Sequence, residues 1–507
     1  MKILIQNGLE FEAKKNETLL SAMVRAGVLI SAPCGGRQHC GKCRVKILEG
    51  RVRDIYPENP AGENLPQNTV LACRTVCESD LLMALIPDEY YEDAACQKVS
   101  AKSPGQRIIS RAATALDIGT TTISAQLLDL DSPNAGPDKI VDIYSALNNQ
   151  RVFGADVISR INAAREGKTS ELFKIVNKQI NKMLLGFIEK FKLEKIETLT
   201  VAANTTMLHL FVNEDPSSMG EIPFKPVFLE EREFGGADLS LPVDRVFLLP
   251  SISAFIGADI VSGLAAINIL KAGETVLFID MGTNGEIALF HKGKLFCASA
   301  AAGPALEGAE ISCGTGSVRG AISKAGWDNG KLNWLTIGSA EPLGICGSGL
   351  IDIMALMLEQ GIIDETGAFT DNERREFIIA PGISIINRDV RQFQLSKSAI
   401  LSAIKILCKN TGIELEEIKK VFVAGGLGFY LDQNSAVKSG LLPAEFLDRI
   451  EVCGNTSLKG TVMASAVQGG EEFKKYCRTI VKASESVDLA SDPAFMDAFA
   501  ENMLFPS

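Results

Sequence analysis

The sequence predicts a multidomain α+β and α/β protein, with a small β-rich domain, a linker and two larger α/β lobes. Three observations predict this arrangement: a group of four cysteines near the start, a charged stretch after it, and a strand-turn-strand pattern that occurs twice in the remaining chain. At 507 residues the chain is long enough for about three or four domains. We expect the small domain at 1–88, the linker at 89–112, the first lobe at 113–272 and the second lobe, with C-terminal helices, at 273–507.

The first feature is a cysteine quartet, Cys34, Cys40, Cys43 and Cys73, which begins with the spacing C-x5-C-x2-C. Four converging thiolates suit a [2Fe-2S] cluster, and glycines among them let the backbone approach the sulfide ions. The alternatives are zinc, which usually takes two close C-x2-C pairs, and disulfides. A start without a hydrophobic leader leads us to expect a cytoplasmic protein, where thiols stay reduced. Cys77 is a candidate substitute ligand.

The sequence around the quartet predicts a compact scaffold. Residues 2–13 are expected to form two short strands, and Asn16 is expected to cap a helix that ends at Gly27. An alternating strand follows at 43–48, and the chain returns with Cys73. This order matches a ferredoxin of the β-grasp type.

Composition excludes some classes of partner. The net charge of −11 argues against general binding of nucleic acid, because such binding needs a basic surface. The most apolar long stretch, 246–270, contains Pro250 and Asp259 together with glycines and serines, so we expect no membrane span. We therefore expect neither nucleic acid nor membrane as a partner.

The second feature is an internal repeat of Asp-x-Gly-Thr, at 117–120 and again at 280–283, each between two apolar strands. A turn of this type can aim backbone N–H groups and threonine hydroxyls at phosphate, while the aspartate holds Mg²⁺ through water. A single such turn is also common in ordinary hairpins. The candidate phosphate-binding residues are Gly119, Thr120, Thr121, Gly282, Thr283 and Asn284, and the candidate magnesium residues are Asp117 and Asp280.

A third element is the apolar strand at 421–424, which breaks into a glycine-rich turn. Because glycines lack side chains, an adenosine can lie against the backbone there. The predicted nucleoside-binding residues are Gly425, Gly426 and Gly428.

Taken in order, these elements resemble the superfamily of actin, sugar kinases and heat-shock chaperones, which binds ATP between two similar halves. With the cysteine quartet included, the whole chain resembles the reductive activators of corrinoid proteins, which join a [2Fe-2S] ferredoxin domain to an actin-like ATPase domain. Further segments carry this resemblance: Phe153-Gly154-Ala155-Asp156-Val157, Ala203-Asn204-Thr205-Thr206-Met207, Gly303-Pro304-Ala305-Leu306-Glu307-Gly308 and Gly344-Ile345-Cys346-Gly347-Ser348-Gly349.

The resemblance implies an enzyme that uses ATP to return one electron to an inactive Co(II) corrinoid protein of a methyltransferase system, giving Co(I). It also implies a low-potential electron donor and a homodimer. Two alternatives stay open: an activator of another low-potential enzyme, such as a 2-hydroxyacyl-CoA dehydratase, and a non-enzymatic ATP-dependent docking module. The dehydratase activators lack a ferredoxin domain, which argues against the first alternative.

Hydrolysis of ATP needs a carboxylate that orients water. Glu286 follows the second phosphate turn and is the first choice, with Glu307 the second and Asp280 as the magnesium partner. Either glutamate could instead be an ordinary surface residue.

Overall fold

A computed structural model describes residues 1–6, 8–28, 30, 32, 36, 38, 41, 43–57, 65–86, 109–132, 139–328, 330–371, 373–426, 430–489 and 491–506. Cys34, Cys40, Gly428 and most of the predicted linker lie outside the described residues.

The small domain is built on a mixed sheet with strand order β2-β1-β7-β3-β5, beside a pair formed by β4 and β6. The first two strands form the predicted antiparallel hairpin, and β1 also pairs in parallel with β7. One apolar face of the helix packs on this sheet. The elements are β1 (Lys2–Ile5), β2 (Glu10–Glu12), α1 (Leu19–Arg25), β3 (Arg44–Glu49), β4 (Val52–Asp54), β5 (Thr69–Leu71), β6 (Thr75–Cys77) and β7 (Leu81–Leu85).

The helix of the small domain begins later than the sequence predicts. Asn16 does not cap it, because this residue lies in the left-handed region with φ of 61°. The N-cap is Thr18, whose Oγ1 accepts a hydrogen bond of 3.2 Å from the Ser21 amide. The predicted end is confirmed, since Gly27 follows the last turn with φ of 74°.

The first lobe is a sheet with strand order β10-β9-β8-β11-β13-β12 and helices packed against it. Strands β8, β9 and β10 form an antiparallel meander, while β11 pairs in parallel with β8 and with β13. Every residue of β8 is buried, as expected for a central strand. The elements are β8 (Ala112–Ile118), β9 (Thr122–Asp129), β10 (Ile140–Leu147), α2 (Val157–Ala163), α3 (Thr169–Phe191), β11 (Ile196–Ala203), α4 (Thr205–Phe211), β12 (Arg232–Gly235), β13 (Val243–Leu248) and α5 (Ala258–Ala266).

The second lobe repeats this plan. Its main sheet has the order β23-β22-β14-β15-β16-β24, in which β14, β15 and β16 form the meander and β22 pairs in parallel with β14 and β23. The elements of this main sheet and its packing helices are β14 (Val276–Met281), β15 (Gly285–His291), β16 (Lys294–Ala300), α6 (Gly347–Glu359), α7 (Asn387–Thr411), β22 (Lys420–Ala424), α8 (Gln433–Lys438), β23 (Ile450–Gly454), α9 (Thr456–Ala464), α10 (Gly470–Ala483), β24 (Ser484–Ser486) and α11 (Pro493–Glu501). Small insertions add β17 (Ala321–Asp328), β18 (Lys331–Thr336), β19 (Gly344–Ile345), β20 (Glu376–Ala380) and β21 (Ile383–Ile386).

The repeated meander explains the repeated sequence motif. In each lobe the Asp-x-Gly-Thr turn joins the central strand to its antiparallel neighbour, so the two turns occupy equivalent places. The predicted two-lobed fold with an internal duplication is therefore confirmed.

Two helices pack directly against each other where the lobes meet. α5 ends the first lobe, and α9 lies near the end of the second; a Cβ at Gly460 of α9 would lie 2.2 Å from the Ser262 carbonyl oxygen of α5. The Ser262 hydroxyl donates a 2.8 Å hydrogen bond to the Ser457 carbonyl oxygen. This close crossing connects the lobes next to the first phosphate turn. Across the described ranges, no helix is both long enough and apolar enough for a membrane span.

Candidate functional site

The described part of the cysteine quartet lies in the core of the small domain. Cys43 and Cys73 are buried, with 1% and 5% of their surface exposed. The Cys43 carbonyl oxygen accepts a 2.8 Å hydrogen bond from the Ala72 amide, which ties the two cysteine-bearing segments together. Cys34 and Cys40 lie outside the described residues.

The surroundings of these cysteines fit a [2Fe-2S] cluster. Gly36 has φ of 84° and its Cβ position would lie 4.0 Å from the Cβ of Cys73, so the loop passes close to this cysteine where a glycine is favoured. The alternative ligand Cys77 is also buried, and burial raises the pKa of its thiol to about 11. Cys77 therefore stays a candidate substitute ligand, since Cys43 and Cys73 are buried to a similar degree.

The first phosphate turn, residues 119–121, is held from behind by polar side chains. Asn148 Nδ2 donates a 2.9 Å hydrogen bond to the Gly119 carbonyl oxygen, and Arg160 Nη2 donates to the carbonyl oxygen of Thr120. The hydroxyl of Thr120 accepts a 3.0 Å hydrogen bond from Asn204 Nδ2. The turn therefore has a fixed conformation.

The aspartate before this turn contacts the second lobe. Asp117 accepts hydrogen bonds from Asn455 Nδ2 at 2.8 Å and from Ser457 Oγ at 2.9 Å. Asn455 is also the N-cap of α9, so one residue both begins this helix and binds the aspartate. Burial raises the pKa of Asp117, and the two hydrogen bonds oppose that rise.

The second phosphate turn, residues 282–284, lies among carboxylates. Asp280 and Glu286 are directly opposite each other in the β14–β15 pair, which brings two acidic side chains close together. Burial, together with the charges of Asp117 and Glu307, raises the pKa of Asp280 to about 7. Burial, together with the charges of Asp259 and Asp280, raises the pKa of Glu286 well above its usual range.

Glu307 links the two turns. It ends a short 3-10 helix, Pro304–Glu307, and its Oε2 accepts hydrogen bonds from the hydroxyls of Thr121, at 2.9 Å, and of Thr283. These hydroxyls come from different lobes and lie 3.5 Å apart. Burial raises the pKa of Glu307, while both threonines and the charge of Arg160 act in the opposite direction. Glu307 is half-buried and hydrogen-bonded to both turns, so it is not an ordinary surface glutamate.

The glycine turn after β22 reaches the same place. Gly425 has φ of 96°, and a Cβ there would lie 2.5 Å from the Met281 carbonyl oxygen and 2.8 Å from Oδ1 of Asp280. No atom of the described residues lies within 4 Å of the Cβ position of Gly426. Gly428 lies outside the described residues.

The structure adds acidic and polar residues that the sequence interpretation missed. Asp259, at the start of α5, has a pKa raised to about 8 by burial and by the charges of Asp117 and Asp280. The sequence does mark Asp259 as an acidic residue in the otherwise apolar stretch 246–270, but from this pattern alone we infer only that the stretch does not span a membrane. The other missed residues are Asn148, Arg160, Asn204, Asn455 and Ser457.

These carboxylates suit a hydrated cation. Within the described ranges, no group of three or more histidine, cysteine, aspartate or glutamate side chains has the geometry of a direct metal site. Mg²⁺ commonly keeps several waters and binds one or two carboxylates together with nucleotide phosphates. Clustered carboxylates with raised pKa values gain from such a cation, because its charge offsets their repulsion.

Family models match three parts of the chain. A model described as the 2Fe-2S iron-sulfur cluster binding domain matches residues 3–78, and the RACo middle region matches residues 112–272. The C-terminal domain of RACo, described as the ASKHA domain, matches residues 274–507. The chain belongs to the family of reductive activators of corrinoid proteins.

Full-length relatives agree with this membership. The corrinoid activation enzyme RamQ of Eubacterium limosum is 28% identical over 98% of this chain and 97% of its own length. The [Co(II) methylated amine-specific corrinoid protein] reductase of Methanosarcina barkeri is 27% identical, with 68% of each chain covered. The solved structure of a reductive activator for corrinoid, iron-sulfur protein superposes with a TM-score of 0.72 and 27% identity, over 100% of this chain and 98% of its own.

Membership in the reductive activator family confirms the fold class and the cofactors that the sequence predicts. The small domain is a [2Fe-2S] domain, and the two lobes form an ATP-binding domain of the ASKHA type. The roles of individual residues stay predictions.

Proposed function

We propose that this protein uses ATP to drive one electron from its [2Fe-2S] domain to a corrinoid protein, converting Co(II) to Co(I). The observation that carries the proposal is the joining of two equivalent phosphate turns by Glu307 in a chain that also has a [2Fe-2S] domain. The names of two relatives, a corrinoid activation enzyme and a Co(II) corrinoid protein reductase, support the choice of acceptor.

ATP is needed because the electron must pass to an acceptor whose reduction potential is lower than that of the cluster. A plant-type cluster has a potential near about −400 mV, and each further 100 mV requires roughly 2.3 kcal/mol per electron. When bound, the cluster supplies one electron at a time. An acceptor of lower potential is reached only if nucleotide binding or hydrolysis contributes free energy.

The residues have the following proposed roles. Cys34, Cys40, Cys43 and Cys73 hold the cluster. The turns at 119–121 and 282–284 bind the phosphates, and Asp117 and Asp280 organise Mg²⁺ through water. The glycines at 425, 426 and 428 contact the nucleoside.

Glu286 is the proposed base for the hydrolytic water, and Glu307 the second candidate. Burial raises the pKa of both glutamates, and the hydroxyl donors of Thr121 and Thr283 oppose that rise at Glu307. The two hydroxyl contacts support Glu307 as the group that holds the turns together, and the place of Glu286, opposite Asp280 and just after the second turn, supports it as the base.

The proposed partners are a corrinoid protein of a methyltransferase system and a low-potential electron donor, and the proposed assembly is a homodimer. An activator of a 2-hydroxyacyl-CoA dehydratase and a docking module without reductase activity are the other outcomes of the test below.

The test is reduction of a purified Co(II) corrinoid protein under anaerobic conditions, with reductant and Mg·ATP, followed by the absorption of Co(I). We expect Co(I) to form with the wild-type protein only when ATP is present. Cys43→Ser is expected to abolish the reaction, while the matched variant Cys313→Ser, altered in the second lobe, is expected to retain it. Equal rates with and without ATP would contradict the proposal, and ATP binding without any Co(I) would favour the docking module.

A further inference from the structure

Arg160 lies behind the first phosphate turn and is completely buried. It belongs to α2 and has 0% of its surface exposed. Its Nη2 donates to the Thr120 carbonyl oxygen, its Nε to the Gly154 carbonyl oxygen at 3.1 Å, and its Nη1 to Oε1 of Gln150 at 3.4 Å. These acceptors are all neutral.

A buried guanidinium with neutral partners is unfavourable for folding. Buried charges are normally paired, and desolvation of an ion in the interior requires several kcal/mol. Burial lowers the pKa of Arg160 to about 9, although the charges of Asp156 and Glu307 raise it. Asp156 is engaged elsewhere, since its Oδ1 and Oδ2 accept hydrogen bonds from Ser159 at 2.7 and 2.6 Å. Packing alone therefore does not explain why a charged arginine, rather than an apolar side chain, occupies this position.

The backbone of the turn shows what Arg160 does. The carbonyl oxygens of Gly119, Thr120 and Thr121 accept hydrogen bonds from Asn148 Nδ2, Arg160 Nη2 and the Asn148 amide. In a trans peptide the C=O and the following N–H point in opposite directions. Holding the Gly119 carbonyl therefore turns the Thr120 amide away from Asn148, and holding the Thr120 carbonyl turns the Thr121 amide away from Arg160. Among the described residues, neither amide donates to a protein acceptor.

Successive backbone amides in a turn that are not used by the protein can form an anion-binding concavity. The hydroxyl of Thr121, on the same turn, contacts Glu307, so this carboxylate already lies beside the turn. The turn thus tolerates a negatively charged group next to Thr121, while the Arg160 guanidinium lies on the opposite side of the Thr120–Thr121 peptide. A phosphate at the turn would meet backbone amide donors and the field of a buried positive charge.

We propose that Arg160 is a positioning residue for the nucleotide phosphates: it orients the amide of Thr121, beside the Thr120 amide that Asn148 orients, and supplies a buried positive charge behind the turn. This inference rests on the proposed ATP-dependent function and adds to it a residue that touches the turn rather than the ligand. The ligand that this turn would bind is a nucleoside di- or triphosphate.

The test compares Arg160→Met, which removes the charge and the hydrogen bonds, with Arg160→Lys, which keeps the charge. ATP affinity is measured by isothermal titration calorimetry on the full-length cluster-loaded protein. We expect Arg160→Met to bind ATP at least about tenfold more weakly and Arg160→Lys to recover part of this loss. The matched control is Arg165→Met, which breaks only an ion pair with the exposed Glu221 and is expected to leave the affinity unchanged.

Thermal unfolding and the visible spectrum of the cluster are recorded for each variant without nucleotide. Arg160→Met with wild-type affinity would overturn the inference while leaving the proposed function intact. Equal losses for Met and Lys, with an equal fall in the unfolding midpoint, would assign Arg160 to packing and also overturn it. A wild-type protein that binds no ATP would instead overturn the proposed function.

Discussion

The two phosphate turns share a sequence motif, a strand pairing and contact with Glu307, but only the first has a buried cation behind it. The first turn is held by Asn148 and by the buried cation of Arg160. The second lies beside Asp280 and Glu286, whose pKa values are raised by burial and by neighbouring acidic groups. The duplicated hairpin thus has an arginine behind one turn and a pair of facing carboxylates beside the other. We expect from this difference that the first turn contributes mainly to phosphate binding and the second mainly to hydrolysis.

We expect the largest effect from a substitution of Glu286 beside the second turn, which distinguishes the rate of ATP hydrolysis from the affinity for ATP. Glu286→Gln keeps the shape of the side chain but removes its ability to accept a proton. We expect ATP hydrolysis to fall by roughly 10²–10⁴-fold, the usual contribution of a general base, with little change in ATP affinity. Phosphate release and calorimetry measure the two quantities.

Glu307→Gln is the matched control for that experiment. It should lower hydrolysis less, because its side chain holds Thr121 and Thr283 and its ionised form is stabilised by them. If Glu307→Gln proves the more damaging of the two, the base is Glu307 and the assignment is reversed.

A second prediction compares the glycines of the turns. A Cβ at Gly119 would lie 2.6 Å from the carbonyl oxygen of Thr122, whereas at Gly282 the nearest atoms are the Asn284 carbonyl oxygen at 3.7 Å and Glu307 Oε1 at 3.8 Å. We expect Gly119→Ala to reduce the free energy of unfolding by about 1–3 kcal/mol, the usual effect of overpacking, and Gly282→Ala to have little effect. Chemical denaturation checks both. Equal destabilisation would show that the turns are equally constrained.

Features that depend on a short stretch of sequence, such as turns, strands and cysteine spacing, are predicted well. The Asp-x-Gly-Thr turns lie between apolar strands, and this pattern predicts the two lobes that the structure confirms, while the phosphate-binding roles of the turn residues stay predictions. The cysteine quartet was likewise sufficient for the [2Fe-2S] domain. The capping of α1 shows the limit of local reasoning, because Asn16 has the right chemistry but a left-handed backbone, and Thr18 caps instead.

The missed residues depend on contacts between distant segments. Asn455 and Ser457 reach Asp117 only because α9 returns to the first lobe near the end of the chain. Arg160 looks like an ordinary helical arginine in the sequence, and only the packing of α2 behind the first turn buries it. Sequence patterns report periodicity and turns, but they do not report which side of a helix faces a turn far away in the chain.

A third prediction concerns pH and the cation. The pKa of Asp280 is raised to about 7 and that of Asp259 to about 8, so protons compete with Mg²⁺ for these carboxylates below those values. We expect the Mg²⁺ concentration needed for half-maximal hydrolysis to fall as pH rises from 6 to about 8, by at most about tenfold per unit for each proton displaced. Asp280→Asn should flatten this dependence. A Mg²⁺ requirement that is constant with pH would contradict the assignment of cation binding to the second turn.

The smallest expected effect compares the two aspartates in the nucleotide-free protein. Asp117 accepts hydrogen bonds from Asn455 and Ser457, so Asp117→Asn, which sets an amide against one donor, should reduce the free energy of unfolding by about 1–2 kcal/mol. The pKa of Asp280 in the folded state is raised above 3.8, the ordinary value of an aspartate, so the folded protein binds more protons and loses stability as pH rises from about 4 to 7.

Asp280→Asn removes this loss, and at pH 8 the variant should be as stable as the wild type or more so. Denaturation at pH 5 and pH 8, with both variants measured in parallel, separates the contributions. The expected signature is a penalty for Asp117→Asn and a relative gain for Asp280→Asn that grows with pH. Matching losses for both variants would mean that the two aspartates have the same structural role, and the difference in charge between the turns would then have no effect on folding.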